Sequence, residues 1–261
     1  MDARITYALE NGLARLTIDQ PARLNAMSFD MWSSLPGLVA RAEADPAVRA
    51  IVVAGGGDRA FCSGADISQF GEKRSGEGAV AAYDTAVSAG LAALAGGAKP
   101  SVALVRGICF GGGMALALSC DLRLVAEGAR FRIPAARLGL GYAFSNIEMM
   151  VRRLGPGPAA DILLSARAFA ADEALRLGVA TKVWTQEEFA AGSADYLAGL
   201  AANAPLTLAA ITLALRQLAR PERLRDEALV DRAVAACFAS YDYAEGRRAF
   251  AEKRAPVFKG R

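Results

Sequence analysis

Two stretches of the chain are almost entirely apolar: VRAIVVAGGG at residues 48–57 and SVALVRGI at residues 101–108. A third, DLRLVAE at residues 121–127, repeats the pattern more weakly. A strand with one face in water alternates apolar and polar residues, whereas a continuous apolar run is typical of a strand buried on both faces. Helical patterns lie between these strands. The alternation favours an α/β fold, in which helices cover a sheet.

The two ends of the chain are organised differently. RITYALENGLARLTID predicts two strands joined by a hairpin at Asn11-Gly12, and the helix that follows has Ser28 as its N-cap. The second half of the chain is mostly helical, with one short strand, ATKVW. We therefore predict an α/β core over residues 1–200 and a helical C-terminal region over residues 201–261. No internal repeat is visible in the sequence.

The charge balance argues against a nucleic-acid partner. The chain has 30 basic and 27 acidic residues, a net charge of +3, and 54% of its residues are hydrophobic. The most basic helical stretch, residues 216–233, mixes both signs, which is typical of a solvated helix face. No apolar run reaches the roughly 18 uncharged residues of a membrane span. The N-terminal sequence also lacks the pattern of a signal peptide, so no membrane partner is expected.

The cysteine and histidine content excludes several mechanisms. The four cysteines, Cys62, Cys109, Cys120 and Cys237, form no CxxC pair, and the chain has no histidine. We interpret the cysteines as reduced, small buried hydrophobic residues of a cytoplasmic protein and expect no metal site. Without histidine, Ser-His and Cys-His nucleophilic mechanisms and a histidine general base are all excluded.

Two turns share one design. AFCSGADI, residues 60–67, and ICFGGGMALAL, residues 108–118, each leave a strand and enter a helix through small residues. Such turns present unpaired backbone N–H groups, and two of them facing one pocket would bind a carbonyl oxygen as negative charge develops on it. Neither turn has the spacing of a phosphate or dinucleotide loop. Glycines that only permit close packing remain the alternative. Residues 71–78, GEKRSGEG, are either a mobile loop over a site or a plain surface loop.

Together these motifs resemble the crotonase superfamily, which includes enoyl-CoA hydratases and isomerases. Besides the two turns, PAARLGLG at residues 134–141 carries the resemblance. Three further stretches extend it over nearly the whole chain: PARLNAMS at residues 21–28, residues 155–183 and residues 245–261. The resemblance implies a crotonase-like ββα spiral core with a helical C-terminal trimerisation region. It also implies self-association as a trimer or hexamer.

The resemblance also implies which residues bind substrate. In the family, two backbone N–H groups hold the thioester carbonyl of an acyl-CoA, and they correspond here to Ala65 and Gly112. Coenzyme A is then part of the substrate, and no separate cofactor is implied. The residues that match contacts to coenzyme A beyond these two are Asp66, Ile67, Ser68, Phe258 and Lys259. The last two match contacts to the nucleotide, often made across a subunit boundary, and the alternative for them is a solvated basic tail.

The chain departs from the hydratase pattern at two positions. Hydratases of the family place two glutamates around one water, and the matching residues here are Ala115 and Ala135. One positioned acid or base contributes about 10²–10⁴ in rate, so hydration should be very slow. The aspartate of dehalogenases and dienoyl-CoA isomerases is matched by Ala143. Glu148 is either a displaced acid or a helix-lining residue, and Tyr83 either core or pocket wall.

Tyr142 suggests a different reaction. Its LGxxY spacing resembles the methylmalonyl-CoA decarboxylases of the superfamily, where a tyrosine orients the carboxylate and neither glutamate is needed. We therefore expect a lyase, most specifically a decarboxylase, of fatty acid metabolism in which Ala65, Gly112 and Tyr142 are catalytic. Tyr142 as a plain pocket-wall aromatic, an enoyl-CoA hydratase of atypical or weak activity, and a non-catalytic acyl-CoA-binding protein are the alternatives.

Overall fold

The computed structural model describes residues 4–66 and 77–261. Within them the chain forms ten strands: β1 Arg4–Glu10, β2 Leu13–Asp19, β3 Ala50–Gly55, β4 Ala60–Cys62, β5 Ser101–Val105, β6 Ile108–Phe110, β7 Leu122–Ala126, β8 Arg130–Arg132, β9 Phe169–Ala170 and β10 Lys182–Trp184. It also forms ten α-helices: α1 Phe29–Ala44, α2 Glu77–Gly96, α3 Gly112–Ser119, α4 Phe144–Leu154, α5 Pro156–Ser165, α6 Ala171–Arg176, α7 Phe189–Ala201, α8 Pro205–Leu218, α9 Glu227–Phe238 and α10 Tyr241–Ala251.

The predicted hairpin and helix cap at the N-terminal end are confirmed. Glu10 pairs with Leu13 across a two-residue turn, and Asn11 and Gly12 both have positive φ, as a type I′ hairpin requires. Helix α1 begins after Ser28, whose hydroxyl accepts a hydrogen bond from the Met31 N–H at 3.2 Å. The first two strands and the first helix are thus set by local sequence.

The larger sheet has the strand order β1-β2-β3-β5-β7-β10, and it is parallel from β2 onward. Its central strands are buried on both faces. In β3, Ile51 and Val53 join the main core cluster, the buried apolar residues that the sheet shares with α1, α2 and α3. Val52 and Ala54 point to the opposite face, where Phe189 of α7 covers them. Continuous apolar runs therefore predicted these strands correctly.

A smaller sheet, of order β4-β6-β8-β9, continues from the carboxyl ends of the larger one. β3 leads into β4, β5 into β6, and β7 into β8, and a helix follows each pair along the chain. These successive ββα units form the spiral core that the resemblance implied. The prediction of one strand over residues 101–108 is wrong, because the chain bends at Gly107, where φ is +58°. A methyl group there would lie 2.0 Å from the Arg59 carbonyl oxygen, so the bend requires glycine.

The C-terminal helices contact the core at specific polar points. Arg216 of α8 donates to the carboxylate of Asp121, which also accepts from the Ser101 N–H at 2.9 Å. Arg49 donates to the Phe258 carbonyl oxygen at 3.3 Å. These contacts join residues 201–261 to the core, and the predicted division at residue 200 stays a prediction.

Among residues 4–66 and 77–261, no single helix is both long enough and apolar enough to span a bilayer. Helices α7 and α8 reach that length and apolarity only as a pair, and the chain bends by 99° between them.

Three of the four cysteines are fully buried, as expected for small hydrophobic residues. Cys62, Cys109 and Cys120 have no exposed surface, and no disulfide joins them. Burial raises the pKa of the Cys62 and Cys120 thiols to about 12. Cys237 is partly exposed. Since the thiolate is the reactive form, the buried three are inert at neutral pH.

Candidate active site

The smaller sheet brings the two glycine-containing turns together. Cys62 of β4 pairs with Cys109 of β6, so Gly64 and Ala65, which follow β4, lie beside the glycines that follow β6. A methyl group on Gly64 would be 3.6 Å from the Gly112 nitrogen, and one on Gly112 would be 3.8 Å from the Ala65 nitrogen. The two nitrogens predicted as oxyanion donors therefore lie close together on neighbouring backbone segments, and their role as donors stays a prediction.

The three glycines of the triplet lie in different local environments, and each limits a side chain in a different way. Gly111 is the N-cap of α3 with φ +50° and ψ −118°, a conformation that side chains disfavour. A methyl group on Gly113 would lie 2.3 Å from the Cys62 carbonyl oxygen, so α3 could not pack against β4. A methyl group on Gly112 would lie 3.4 Å from Cζ2 of Trp32. Close packing, the alternative explanation for these glycines, thus accounts for Gly113, and the donor role of Gly112 stays a prediction.

The backbone around both candidate N–H groups is held by other hydrogen bonds. Met27 donates to the Gly64 carbonyl at 2.8 Å and accepts from the Asp66 N–H at 3.0 Å, which holds the backbone on either side of Ala65. Gly112 is the first residue of α3, where a helix has no internal acceptor for the N–H. Within residues 4–66 and 77–261, neither the Ala65 nor the Gly112 N–H donates a hydrogen bond. Two such donors can stabilise an oxyanion.

The Ala65 side of the site is anchored by an ion pair. The Asp66 carboxylate is 6% exposed and accepts from Arg23 Nη1 at 2.8 and 3.1 Å and from Gln20 Nε2 at 3.2 Å. Asp66 was predicted to contact coenzyme A. Its carboxylate pairs with Arg23, which fits a positioning role for the neighbouring Ala65 N–H, and the contact to coenzyme A stays a prediction. Ile67 and Ser68 lie outside the described residues, as do residues 71–76 of the predicted loop.

The two alanines that the resemblance matched to the hydratase glutamates lie close to the glycine turn. Ala115, one turn into α3, donates its N–H to the Gly111 carbonyl at 3.1 Å, and its side chain is 2% exposed within the main core cluster. Ala135 follows Pro134, whose Cδ lies 3.9 Å from where a methyl group on Gly111 would be. Both positions therefore present a methyl group, with no ionisable atom, beside the candidate site.

Tyr142 lies in the connection that leads from Ala135 to α4. Its side chain is half-buried against the main core cluster, and burial raises the pKa of the phenol to about 12. Its hydroxyl makes no hydrogen bond to any residue that the structure describes. Helix α4 packs on α3, where the Ser119 hydroxyl is 3.4 Å from the Met149 sulfur. The Tyr142 phenol is thus protonated at neutral pH and can donate a hydrogen bond, and it lies next to α4, the helix that packs on α3.

The other residues named in the sequence analysis, Glu148, Ala143 and Tyr83, occupy positions that fit structural roles. Glu148 is about half exposed and pairs with Arg152 at 2.8 Å, one turn along α4, which fits a helix-lining residue better than a displaced acid. Ala143 is the N-cap of α4 and supplies no side-chain hydrogen bond. Tyr83 is 3% exposed and packs 6.4 Å from the Phe29 ring, as expected for core or pocket wall.

The C-terminal tail is tied to its own chain. Asp242 accepts from the N–H groups of Lys259 at 2.6 Å and Gly260 at 2.8 Å, and Lys259 Nζ lies 5.0 Å from the centre of the Tyr241 ring. Phe258 packs against Gly246, and its carbonyl accepts from Arg49, which precedes β3. The tail therefore lies at the amino end of β3, whereas Ala65 follows the carboxyl end. A contact from Phe258 or Lys259 to coenzyme A stays a prediction that involves a second subunit.

Trp32 and Arg23 contact residues of the candidate site, and the sequence alone did not identify either of them. Trp32 is 1% exposed, lies beneath Gly112, and its Nε1 has no hydrogen-bond partner in the described part of the chain. Its position in α1 gave no sequence signal for this contact. Arg23 lies inside the motif PARLNAMS, but only the fold reveals that it reaches Asp66, 43 residues away.

The fold and the site define a class: a ββα spiral protein with two adjacent glycine-containing turns at the carboxyl ends of its sheet strands. The sequence model of the enoyl-CoA hydratase/isomerase family matches residues 8–261. The chain belongs to this family.

Individual relatives agree over almost their full lengths. The chain is 31% identical to the short-chain-enoyl-CoA hydratase of Clostridium acetobutylicum, over 94% of this chain and 93% of the relative. It is 30% identical to the carnitinyl-CoA dehydratase of Proteus mirabilis, over the whole of both chains. The crystal structure of an enoyl-CoA hydratase/carnithine racemase from Magnetospirillum magneticum superimposes with a TM-score of 0.94 at 32% identity, over 100% of this chain and 97% of that one. The fold prediction is thereby confirmed.

Proposed function

We propose that this protein is an enzyme that acts on acyl-CoA thioesters by stabilising an enolate. The Ala65 and Gly112 N–H groups would hold the thioester oxygen, and each such donor is worth about 10²–10³ in rate. The observation that supports the proposal is the proximity of two backbone nitrogens whose N–H groups have no partner among the described residues. The relatives' names, a hydratase and a dehydratase of CoA thioesters, support the substrate class.

Within this class we favour decarboxylation of an α-carboxyacyl-CoA. The bond between the α-carbon and the carboxylate breaks, its electron pair passes into the thioester as an enolate, and CO₂ leaves. A proton from water then adds to the α-carbon. No base has to remove an α-proton, so the step is compatible with Ala115 and Ala135. The Tyr142 phenol orients the departing carboxylate by donating a hydrogen bond, and its pKa of about 12 keeps that proton in place.

Hydration of an enoyl-CoA is the second candidate, because the relatives' names favour it. Hydration needs a group to take a proton from water and another to protonate the α-carbon. Methyl groups at positions 115 and 135 cannot do either. An atypical hydratase would have to recruit an acid from elsewhere, and the ion pairs of Glu148 and Asp66 count against those two residues.

Mass spectrometry on a panel of CoA thioesters would separate these reactions. The panel contains methylmalonyl-CoA, crotonyl-CoA and longer enoyl-CoAs, each incubated with the enzyme and followed over time. Decarboxylation lowers the mass of methylmalonyl-CoA by that of CO₂, and hydration raises the mass of an enoyl-CoA by that of water. Binding of all thioesters with conversion of none would identify a non-catalytic acyl-CoA-binding protein and refute the enzyme proposal.

The role of Tyr142 has its own test. Replacing Tyr142 by phenylalanine removes only the hydroxyl, and a hydrogen bond to a charged group is worth about 1.5–3 kcal/mol, or roughly tenfold to 150-fold in rate. Tyr196→Phe is the matched control, because Tyr196 packs against Trp184 on the opposite face of the sheet. CO₂ release that is unchanged in Tyr142→Phe would remove the residue from the mechanism and leave it a pocket-wall aromatic.

Self-association as a trimer or hexamer is the corresponding proposal for the C-terminal helices. Their exposed apolar side chains support it: Phe250 is 88%, Phe238 61% and Leu218 63% exposed in the single chain. Assembly would also let Phe258 and Lys259 reach a neighbouring subunit's substrate. Sedimentation at several protein concentrations tests this, and a monomer throughout would contradict it.

A further inference from the structure

A cavity lies on the face of the larger sheet opposite the main core cluster. Its volume is about 290 Å³, and it lies between β2, β3, β5 and helix α7. The walls are largely apolar: Phe61, Leu104, Phe189 and Leu197 line it, together with small residues. Phe61 belongs to β4, which leads to Ala65, but none of these residues is a proposed donor or substrate contact, and the mechanism proposed above makes no use of the cavity.

Two guanidinium groups line this cavity, and neither has a carboxylate partner in the part of the chain that the structure describes. Arg15 comes from β2 and Arg106 from the bend after β5, so they approach from opposite sides of β3, which lies between those strands. Both side chains are half-buried, and neither forms an ion pair with any residue in the described ranges. Arg106 is held over the Phe189 ring, with Cζ 4.7 Å from the ring centre. No aspartate or glutamate is among the lining residues.

The combination of groups specifies the chemistry of a ligand. Burying positive charge is unfavourable unless an anion accompanies it, and arginine matches the planar, two-oxygen geometry of a carboxylate. A bare inorganic anion would leave the apolar walls against water, whereas a short aliphatic chain would cover them. The volume is close to the roughly 300 Å³ lower end of small-molecule pockets, which limits the chain to a few carbons.

We propose that this cavity binds a short-chain aliphatic carboxylate. The carboxylate pairs with Arg15 and Arg106, and the alkyl chain packs on Leu104, Phe189 and Leu197. The Ser193 hydroxyl, which lines the same cavity on α7 and bonds the Ala190 carbonyl at 3.3 Å, is a further polar group within it. The site is independent of the oxyanion turns and does not depend on the reaction catalysed there.

Equilibrium dialysis of the full-length protein with radiolabelled hexanoate tests the proposal. Arg15→Gln and Arg106→Gln should each weaken binding at least tenfold, because each removes a charge-assisted pair. Arg176→Gln is the matched control: Arg176 is exposed, pairs with Asp172 and should leave binding unchanged. Since Arg106 also packs on Phe189, Ala194→Phe provides a second variant that narrows the cavity and keeps both arginines; it too should weaken binding.

Two further arms identify the source of any binding. Inorganic phosphate should bind at least tenfold more weakly than hexanoate; equal affinity would show that the apolar walls contribute nothing and would refute the aliphatic carboxylate. Acetyl-CoA should not displace hexanoate. Displacement by acetyl-CoA, with arginine variants that bind like the wild type, would assign the hexanoate to the active site and overturn the proposal. Absence of hexanoate binding at millimolar concentration would also overturn it.

Discussion

Replacing Gly113 by alanine tests whether α3 is in backbone contact with β4. The added methyl group would lie 2.3 Å from the Cys62 carbonyl oxygen and 2.9 Å from its carbon, and these atoms belong to a strand that cannot move alone. Overpacking of this kind costs about 1–3 kcal/mol. The unfolding temperature of a chain of this length falls by about 2–4 °C per kcal/mol. We therefore expect Gly113→Ala to lower it by about 2–12 °C.

Gly199→Ala is the matched control, because it makes the same substitution in a helix where nothing lies within 4 Å. Alanine is favoured over glycine in a helix by about 0.8–1.0 kcal/mol, so this variant should be slightly more stable than the wild type. Differential scanning fluorimetry at one protein concentration compares the three proteins. A Gly113→Ala variant as stable as Gly199→Ala would refute the packing of the two turns on which the site depends.

Three other predictions follow from the buried and paired ionisable groups. A thiol reagent at pH 8 should modify Cys237 alone in the native protein and all four cysteines after unfolding, and rapid native modification of Cys62 would contradict its burial. Burial raises the pKa of Tyr142 to about 12, so the phenol stays protonated and its contribution to the decarboxylation rate should not fall between pH 7 and 10. A decarboxylation rate that falls with an apparent pKa near 9 in the wild type but not in Tyr142→Phe would contradict this. Arg254, Arg248 and the Val257 N–H hold the pKa of Glu245 well below its usual range. The ionised carboxylate therefore stabilises the folded protein fully above the pKa of about 4.3 in the unfolded chain, and this stabilisation is lost as pH falls through the pKa in the folded protein. The unfolding temperature should drop more between pH 6 and 3 for the wild type than for Glu245→Gln, and equal drops would argue against this role.

Local sequence patterns predicted the strands that are buried on both faces and the hairpin whose turn is set by two adjacent residues. The buried strands β3, β5 and β7 follow from continuous apolar runs, and the first hairpin follows from Asn11-Gly12. The strands of the smaller sheet were not predicted, because each has only two or three residues and no periodicity can develop over that length. Their existence depends on bends such as the one at Gly107, which is determined by contact with Arg59, far away in sequence.

The candidate site was predictable only in part. The identity of the donors, Ala65 and Gly112, came from a resemblance between motifs, and an N–H group leaves no side-chain signature. Their proximity depends on the pairing of β4 with β6, which neither turn encodes alone. The pairing of Asp66 with Arg23 is a tertiary ion pair that the motif could not reveal.

The carbonyl stretching frequency of a bound thioester tests the central claim most directly. Isotope-edited infrared spectroscopy with acetyl-CoA labelled with ¹³C at the carbonyl reports how strongly N–H donors polarise that bond. We predict a lower frequency on binding to the wild type, and a smaller decrease in Gly112→Pro, which removes one donor at the first position of α3, where proline is tolerated. A frequency in the bound wild type equal to that of free acetyl-CoA would contradict the assignment of Ala65 and Gly112 as an oxyanion hole.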